Sequence, residues 1–371
     1  MSSTISKQIV PGLKVIELNR SGLKELFITA TPRDGGDFRH MFEDIHRVVD
    51  EAGATIVTKE VFGIPHAKPE GLAALRSVWN KPDWPVTWLA DGRSTDMNLT
   101  GVQVHAVKGV TVERIEMDGR IIGSVFDDGF ARHCHLGDLR PQNGSASPVR
   151  QARETFDFIE AALCSADMEF ANVVRTWFYL DQILSWYSRF NNVRDQFFRE
   201  QNVFDGIVPA STGIGSSNAA QTAVIAEAYA VQPHANSVKI MAVPSPLQCP
   251  ALQYGSSFSR AVEVDTPDYR RLFISGTASI DSSGRTVHVG DLPRQIELTM
   301  EVVEAIIASC SMSWRDVTRA VAYVKQGSDA NLFKDYCAAR RLDDLPIVTT
   351  ENDICRQELR FEVEVDACRV R

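Results

Sequence analysis

Two stretches of this 371-residue chain align without a gap: TFDFIEAALCSADMEFANVVRTWFYL (155–180) and TMEVVEAIIASCSMSWRDVTRAVAYV (299–324). Thr155/Thr299, Glu160/Glu304, Ala161/Ala305, Met168/Met312, Val173/Val317, Arg175/Arg319 and Tyr179/Tyr323 are identical pairs. In the second copy Met300, Val303, Ile306 and Ile307 recur at helical spacing, so one face of a helix is buried, and VTRAVAYV then alternates as a strand. A nearly repeated octamer precedes each copy, HLGDLRPQ at 135–142 and HVGDLPRQ at 288–295, and reads as a hairpin-to-helix junction. Hairpins are predicted over 120–138 and 271–291, with DDG and SSG at the turns. Asp291 is the expected N-cap of the second helix, with Pro293 in its first turn.

A third, more diverged copy is read in ELFITATPRDGGDFRHMFEDIHRVVDEAGATIVTKEVFG (25–63): strand, Gly-rich turn, helix, strand. GVQVHAVKG (101–109), AVIAEAYAV (223–231) and LRFEVEVDA (359–367) supply the closing strands. Repeats that cannot bury a sheet face alone bury it on one another. The expected fold is α+β: three tandem units, 1–116, 117–245 and 246–371, packed as an intramolecular pseudo-trimer. Linkers are expected near 110–118 and in the Pro-rich stretch VQPHANSVKIMAVPSPLQCP (231–250).

Composition narrows the function class. The chain is 44% hydrophobic and 23% charged, ordinary for a globular protein. A net charge of −9 argues against a nucleic-acid partner, which needs a basic face. No run approaches the ~20 apolar residues of a membrane span. MSSTISKQIVPGLKVIEL lacks a charged region followed by an apolar one, so neither membrane nor signal peptide is expected. Seven scattered cysteines without CxxC spacing argue against a disulfide framework and a zinc site, and the expected setting is cytoplasmic with reduced thiols. His133 and His135 point to one strand face, but no third ligand stands nearby, so neither metal nor cofactor is expected. The aromatic-rich stretch 177–198 reads as core and interface.

The segments LFISGTASID, GDLPRQ, DVTRAVAYV and ELRFEVEVDA resemble the RidA/YjgF family, also called endoribonuclease L-PSP; VVRTWFYL and PASTGIG (209–215) extend the resemblance into unit two. The order PASTGIG, YGSSFSRA (254–261), FISGTASI (273–280), DICRQELRFEVE (353–364) is similar to the chorismatases, two-part relatives of RidA. Unit one resembles the family in pattern only. RidA proteins are homotrimers with ligand sites at their interfaces, so the resemblance implies a fused trimer whose interfaces are free to diverge, with the best site between units two and three.

RidA deaminases carry an arginine after the proline of a PARS-like segment. Pro209-Ala210-Ser211-Thr212, Pro346-Ile347-Val348-Thr349 and Pro85-Val86-Thr87 all lack it. The family's functional glutamate is matched with Glu362 in unit three, Glu227 in unit two and Gln103 in unit one. The chorismatase resemblance implies that Glu362 is a general acid that protonates an enol ether, with Cys355 beside the pocket. It also implies arginines for a dicarboxylate, for which Arg175, Arg194, Arg260 and Arg356 are candidates. Ser211 and Thr212 are read as ligand-oxygen contacts or as turn residues, and Tyr254 shares the YGSSFSRA segment with Arg260. Ser256 and Ser257 stand where the family has an extra arginine and proline, which implies a smaller or less charged substrate. RFEVEV itself puts Glu362 and Glu364 on one sheet face and Phe361, Val363 and Val365 on the other. The competing reading of that face is a solvated edge strand.

The expected function is a small-molecule lyase, hydrolase or deaminase acting on a carboxylate-bearing enol ether or enamine. The alternative is a ligand-binding or regulatory protein without turnover; an endoribonuclease fits the charge poorly. The expected partner is a small carboxylate-bearing metabolite, and self-association of the chain stays open.

Overall fold

The computed structural model describes residues 3–20, 22–33, 38–92 and 99–371. The Gly-rich turn expected at 34–37 lies outside the described residues.

Three six-stranded sheets share one topology. The first runs β1 (Thr4–Val10), β2 (Leu13–Arg20), β3 (Leu23–Ala30), β6 (Leu99–Lys108), β4 (Thr55–Gly63), β5 (Val86–Leu89). The second runs β7 (Glu113–Met117), β8 (Arg120–Asp127), β9 (Ala131–Leu139), β12 (Val224–Pro233), β10 (Val173–Leu180), β11 (Ala210–Gly215). The third runs β13 (Lys239–Val243), β14 (Ala261–Asp265), β15 (Tyr269–Ala278), β18 (Phe361–Val370), β16 (Val317–Val324), β17 (Ile347–Glu351). In each sheet only the last pair is parallel. A parallel pair needs a crossover, and helices α2 (Lys68–Trp79), α4 (Ile183–Glu200) and α6 (Ala330–Arg340) supply it. Helices α1 (Phe38–Ala52), α3 (Pro148–Cys164) and α5 (Leu292–Ser309) join the third strand of each sheet to the fourth in sequence. The fold is α+β, three tandem RidA-like units in a pseudo-trimer.

Each sheet has two buried faces. On the outer face, α5 sets Ile296, Met300, Val303 and Ile307 against Phe361, Val363 and Val365 of β18. On the inner face, Phe62, Trp177, Tyr179, Phe273, Val321 and Tyr323 from all three units form one cluster. The seams close a ring: β5 lies beside β9, β11 beside β15, and β17 beside β6. Backbone bonds stitch two of them, Ser259 N to Pro209 O at 3.0 Å and Gly92 N to Glu351 O at 3.0 Å.

The helix–strand repeat holds in register: β10 and β16 both begin after a short 3₁₀ turn, and both break their ladder between the first and third residues. The octamers do not. Residues 135 and 288 lie 153 positions apart, whereas the aligned copies lie 144 apart, from 155 to 299. HLGDL ends β9, with α3 capped only at Ser147; HVGD forms the turn into α5, where Asp291 accepts from Arg294 N at 3.2 Å. In β9 Gly137 and Asp138 sit where the ladder to β12 shifts register, with Asp138 at φ 50, whereas Gly290 and Asp291 turn into α5, so a similar string serves two different places. The predicted hairpin over 271–291 is likewise replaced by β14–β15, leaving a single bridge between Ile280 and Thr286. Both expected linkers contain a strand, β7 and β13. These are short edge strands, in which β7 buries only Ile115 and β13 buries no residue, so neither carries the sustained apolar pattern of a core strand.

Candidate active site

β18 is central in its sheet, between β15 and β16, so the edge-strand reading fails. Its outward residues Phe361, Val363 and Val365 pack under α5, which turns Glu362, Glu364 and Asp366 toward the other units. All three are buried.

Glu362 lies in a pocket at the seam of units two and three. Tyr187 and Arg194 come from α4 and Ser211 from β11, across from Tyr254, Arg260, Gly276, Cys355, Arg356 and Glu362 of unit three. The strand β15 makes room by bulging at Ser275–Gly276, opposite Glu364. Gly276 leaves space for the Glu362 carboxyl: a Cβ at this position would collide with Glu362 Oε1 and crowd Thr212. The free volume is about 50 Å³, room for a few water molecules.

Among the described residues, no side chain hydrogen-bonds or ion-pairs with the Glu362 carboxyl. Burial first, and then the charge of Glu364, push it up to about 8 against the weaker pull of Arg175 and Arg260. Glu364 fares differently. Burial opposes its ionisation, but Arg319 and Arg175 outweigh burial and hold it below the ordinary value. Arg175 Nη2 donates to Glu364 Oε2 at 2.9 Å and to Thr212 Oγ1 at 2.7 Å, and Trp177 Nε1 donates to Glu364 Oε1 at 3.1 Å.

Arg194 and Arg260 form no ion pair among the described residues. Arg194 donates to Asn191 Oδ1 at 2.9 Å and lies over the Phe190 and Phe258 rings. Arg260 donates to Cys249 O at 3.0 Å and lies over Tyr254 and Phe258. Both are buried, and Arg194 Nε and Arg260 Nη2 have no hydrogen-bond partner among the described residues. A buried guanidinium with spare donors and no carboxylate is matched to an anion that enters with planar geometry. Arg356 is committed elsewhere, donating to Gly284 O at 2.9 Å and Thr286 Oγ1 at 3.3 Å. Ser257 bonds to Asp195 of α4 and ties the 254–260 segment to the helix that carries Arg194.

Of the residues singled out in the sequence, Glu362, Cys355, Arg194, Ser211, Tyr254, Arg260 and Arg356 line this pocket. Arg175 and Thr212 do not; they lie behind it, with Thr212 Oγ1 also accepting from Gly276 N at 3.0 Å. Burial, then Glu362, push the Cys355 thiol up to about 12, and no histidine lines the pocket, so nothing there generates a thiolate. Tyr187, Phe258 and Gly276 were missed. Tyr187 precedes Arg194 by seven residues, two helical turns on the same face, a signal readable once α4 is known. His133 and His135 lie in a buried aromatic stack with Tyr229, and no group of three metal-binding side chains is found among the described residues.

The strand ladders correct the matching of glutamates. Glu362 pairs with Tyr323, whereas Glu227 pairs with Trp177 and Gln103 with Glu60. Counted from the ladder break of each sheet, Glu227 and Gln103 are the counterparts of Glu364; those of Glu362 are Ile225 and Gly101. Counterparts of the pocket glycine Gly213 are Trp88 and Thr349. Trp88 packs against Gly71 and Phe38 inside unit one; Val348 packs onto Gly101 at the seam of units three and one. Neither this seam nor that of units one and two has a carboxyl in the place of Glu362.

No family model matches the chain. A chorismatase of Streptomyces hygroscopicus is 28% identical over 215 residues, 52% of this chain and 60% of that protein. A 3-hydroxybenzoate synthase of the same organism is 25% identical over 265 residues, 64% of this chain and 74% of that protein. The chorismatase match thus spans less than two-thirds of the relative's length. A crystal structure of a chorismatase superposes with a TM-score of 0.64 at 18% identity, covering 92% of this chain and 98% of the other. The chain is thus similar to the chorismatases in sequence over about half its length and shares the fold of the solved chorismatase over nearly all of it.

Proposed function

We propose that the chain is a chorismatase-like lyase or hydrolase that cleaves a carboxylate-bearing enol ether, with Glu362 as general acid and Arg194 and Arg260 holding the carboxylate. One observation carries this: a buried carboxyl with no hydrogen-bond or ion-pair partner among the described residues shares a pocket with two arginines that form no ion pair there. The proton passes from Glu362 to the terminal vinyl carbon, leaving an oxocarbenium at the ether carbon. Water adds there and returns a proton to Glu362, and the hemiketal splits into a keto acid and an alcohol. Ser256 lines the pocket without adding charge, which favours a substrate with few carboxylates. A free volume of about 50 Å³ makes the pocket narrow for such a substrate.

That narrowness favours a second reading, ligand binding without turnover. The test offers wild type and Glu362→Gln chorismate, a vinyl ether with one carboxylate, and the enamine formed from serine, with products followed by chromatography and binding by calorimetry. Turnover by wild type alone supports the enol-ether reading. Binding without turnover supports the second, and neither binding nor turnover refutes both.

A further inference from the structure

A buried ionic chain runs from the pocket to the unit that has no part in lining it. Arg175 of unit two grips Glu364 at 2.9 Å. Arg319 of unit three grips the other Glu364 oxygen at 2.8 Å with Nη1, and with Nη2 reaches Glu60 of unit one at 2.6 Å. Asp366 lies 3.6 Å from the same guanidinium. Arg175 and Arg319 occupy the same place in the repeat, the residue after the ladder break of β10 and β16. In unit one that place is Thr58, and the cation is replaced by the acid Glu60 two residues on. Arg175, Glu364 and Glu60 are buried and the Arg319 side chain is only 12% exposed, so water does little to screen them.

We infer that the chain Arg175–Glu364–Arg319–Glu60 fixes a negative charge beside Glu362 and thereby keeps the proton on Glu362, making Glu60 of unit one a positioning residue for the acid. This rests on the general-acid reading of Glu362. Glu364 is two residues from Glu362 on one strand face, and its ionised carboxylate disfavours a second negative charge there. Arg319 is shared between two carboxylates, so the more it serves Glu60, the less it neutralises Glu364. Unit one therefore sets how much negative charge Glu362 feels. The other groups facing Glu362 are Tyr323 on β16, Tyr187 and Arg194 on α4, Arg260 before β14, Tyr254 on the 251–254 turn, and Cys355 and Arg356 before β18. Of these, Arg260 draws Glu362 toward ionisation, as does Arg175 from behind the pocket.

The test is a carboxyl NMR titration of Glu362 in the full chain, for wild type, Glu60→Gln and Glu364→Gln, with folding checked by circular dichroism. The expected result is a lower midpoint in both variants, by about one pH unit or more for Glu364→Gln and by less for Glu60→Gln. If Glu364→Gln does not fold, Glu60→Gln decides. A midpoint in Glu60→Gln that is unchanged or higher overturns the inference. A wild-type midpoint near the ordinary carboxyl value overturns the acid reading and the inference with it. Lowered midpoints in a protein that turns over no enol ether keep the inference and remove the proposed reaction.

Discussion

Glu362 and Glu364 stand two residues apart on β18 and face the same way, yet only Glu364 is ion-paired. Arg175 and Arg319 each lie within 2.9 Å of Glu364 oxygens, while Glu362 looks into the pocket. One strand therefore carries an ionised carboxylate next to a carboxyl raised to about 8. Environments that push two carboxyls apart are what an acid role requires.

Glu362→Gln keeps the shape of the side chain and removes the transferable proton. The expected loss in kcat is about 10²–10⁴-fold, with KM little changed. In wild type, kcat is expected to fall as pH rises through about 8. The sign for stability is opposite to that of an ion-paired acid. The folded value is raised, so the unfolded chain ionises first, at about 4.3. Stability then declines from there up to about 8. Denaturant unfolding at pH 5 and pH 8 should show Glu362→Gln gaining on wild type at the higher pH.

Gly276→Ala drives a methyl into Glu362 Oε1. Overpacking of this kind costs about 1–3 kcal/mol. The acid is also displaced, so turnover should drop more than stability alone explains. Unchanged kcat with unchanged unfolding midpoint would show that the bulge relaxes freely.

Arg194→Ala and Arg260→Ala should each weaken binding of a carboxylate ligand by about 10–100-fold, the worth of a charge-assisted hydrogen bond. Stability should hardly fall, because no carboxylate loses its partner. Lysine at either position should not restore affinity if binding is bidentate. Calorimetry alongside thermal unfolding reads both halves.

Cys355 should resist iodoacetamide at pH 8, since its thiol is held near 12. Cys355→Ala should retain turnover. A rate loss comparable to that of Glu362→Gln would restore it to the mechanism.

Acid should unfold the pseudo-trimer through a second inter-unit cluster. Glu25 of unit one accepts from Arg20 at 2.8 Å and from Arg271 of unit three at 2.8 Å; Asp128 of unit two bonds Arg20 and Tyr269. Burial opposes both charges, but Arg271 and Arg20 for Glu25, and His133 and Arg20 for Asp128, hold both carboxyls below their ordinary values. Their stabilisation is complete above about pH 4 and is lost as pH falls toward the folded values. Arg271→Ala leaves Glu25 short of a partner and should cost about 3–5 kcal/mol at neutral pH. A midpoint equal to wild type at pH 7 would refute this.

The chain by itself determined the repeat, the pairing of helix and strand within it, and the apolar face of RFEVEV. Apolar spacing follows from local geometry, so Phe361, Val363 and Val365 announce a buried face without any knowledge of what covers it. Glu362, Arg260 and Tyr254 were legible through short motifs, and Arg194 only as one of several candidate arginines. Register was not. The octamers looked like the anchor of the repeat and proved to be a strand end and a helix cap, and Glu227 was matched to the wrong member of the Glu362/Glu364 pair. A two-residue error leaves every side chain on the same sheet face, so alternation cannot detect it, whereas the hydrogen-bond ladder can. Tertiary structure alone decided which glutamate meets Arg175 and Arg319 and which is left with its proton. Those partners arrive from strands and units far away in sequence, and electrostatics in a buried site depends on distances that no local pattern encodes.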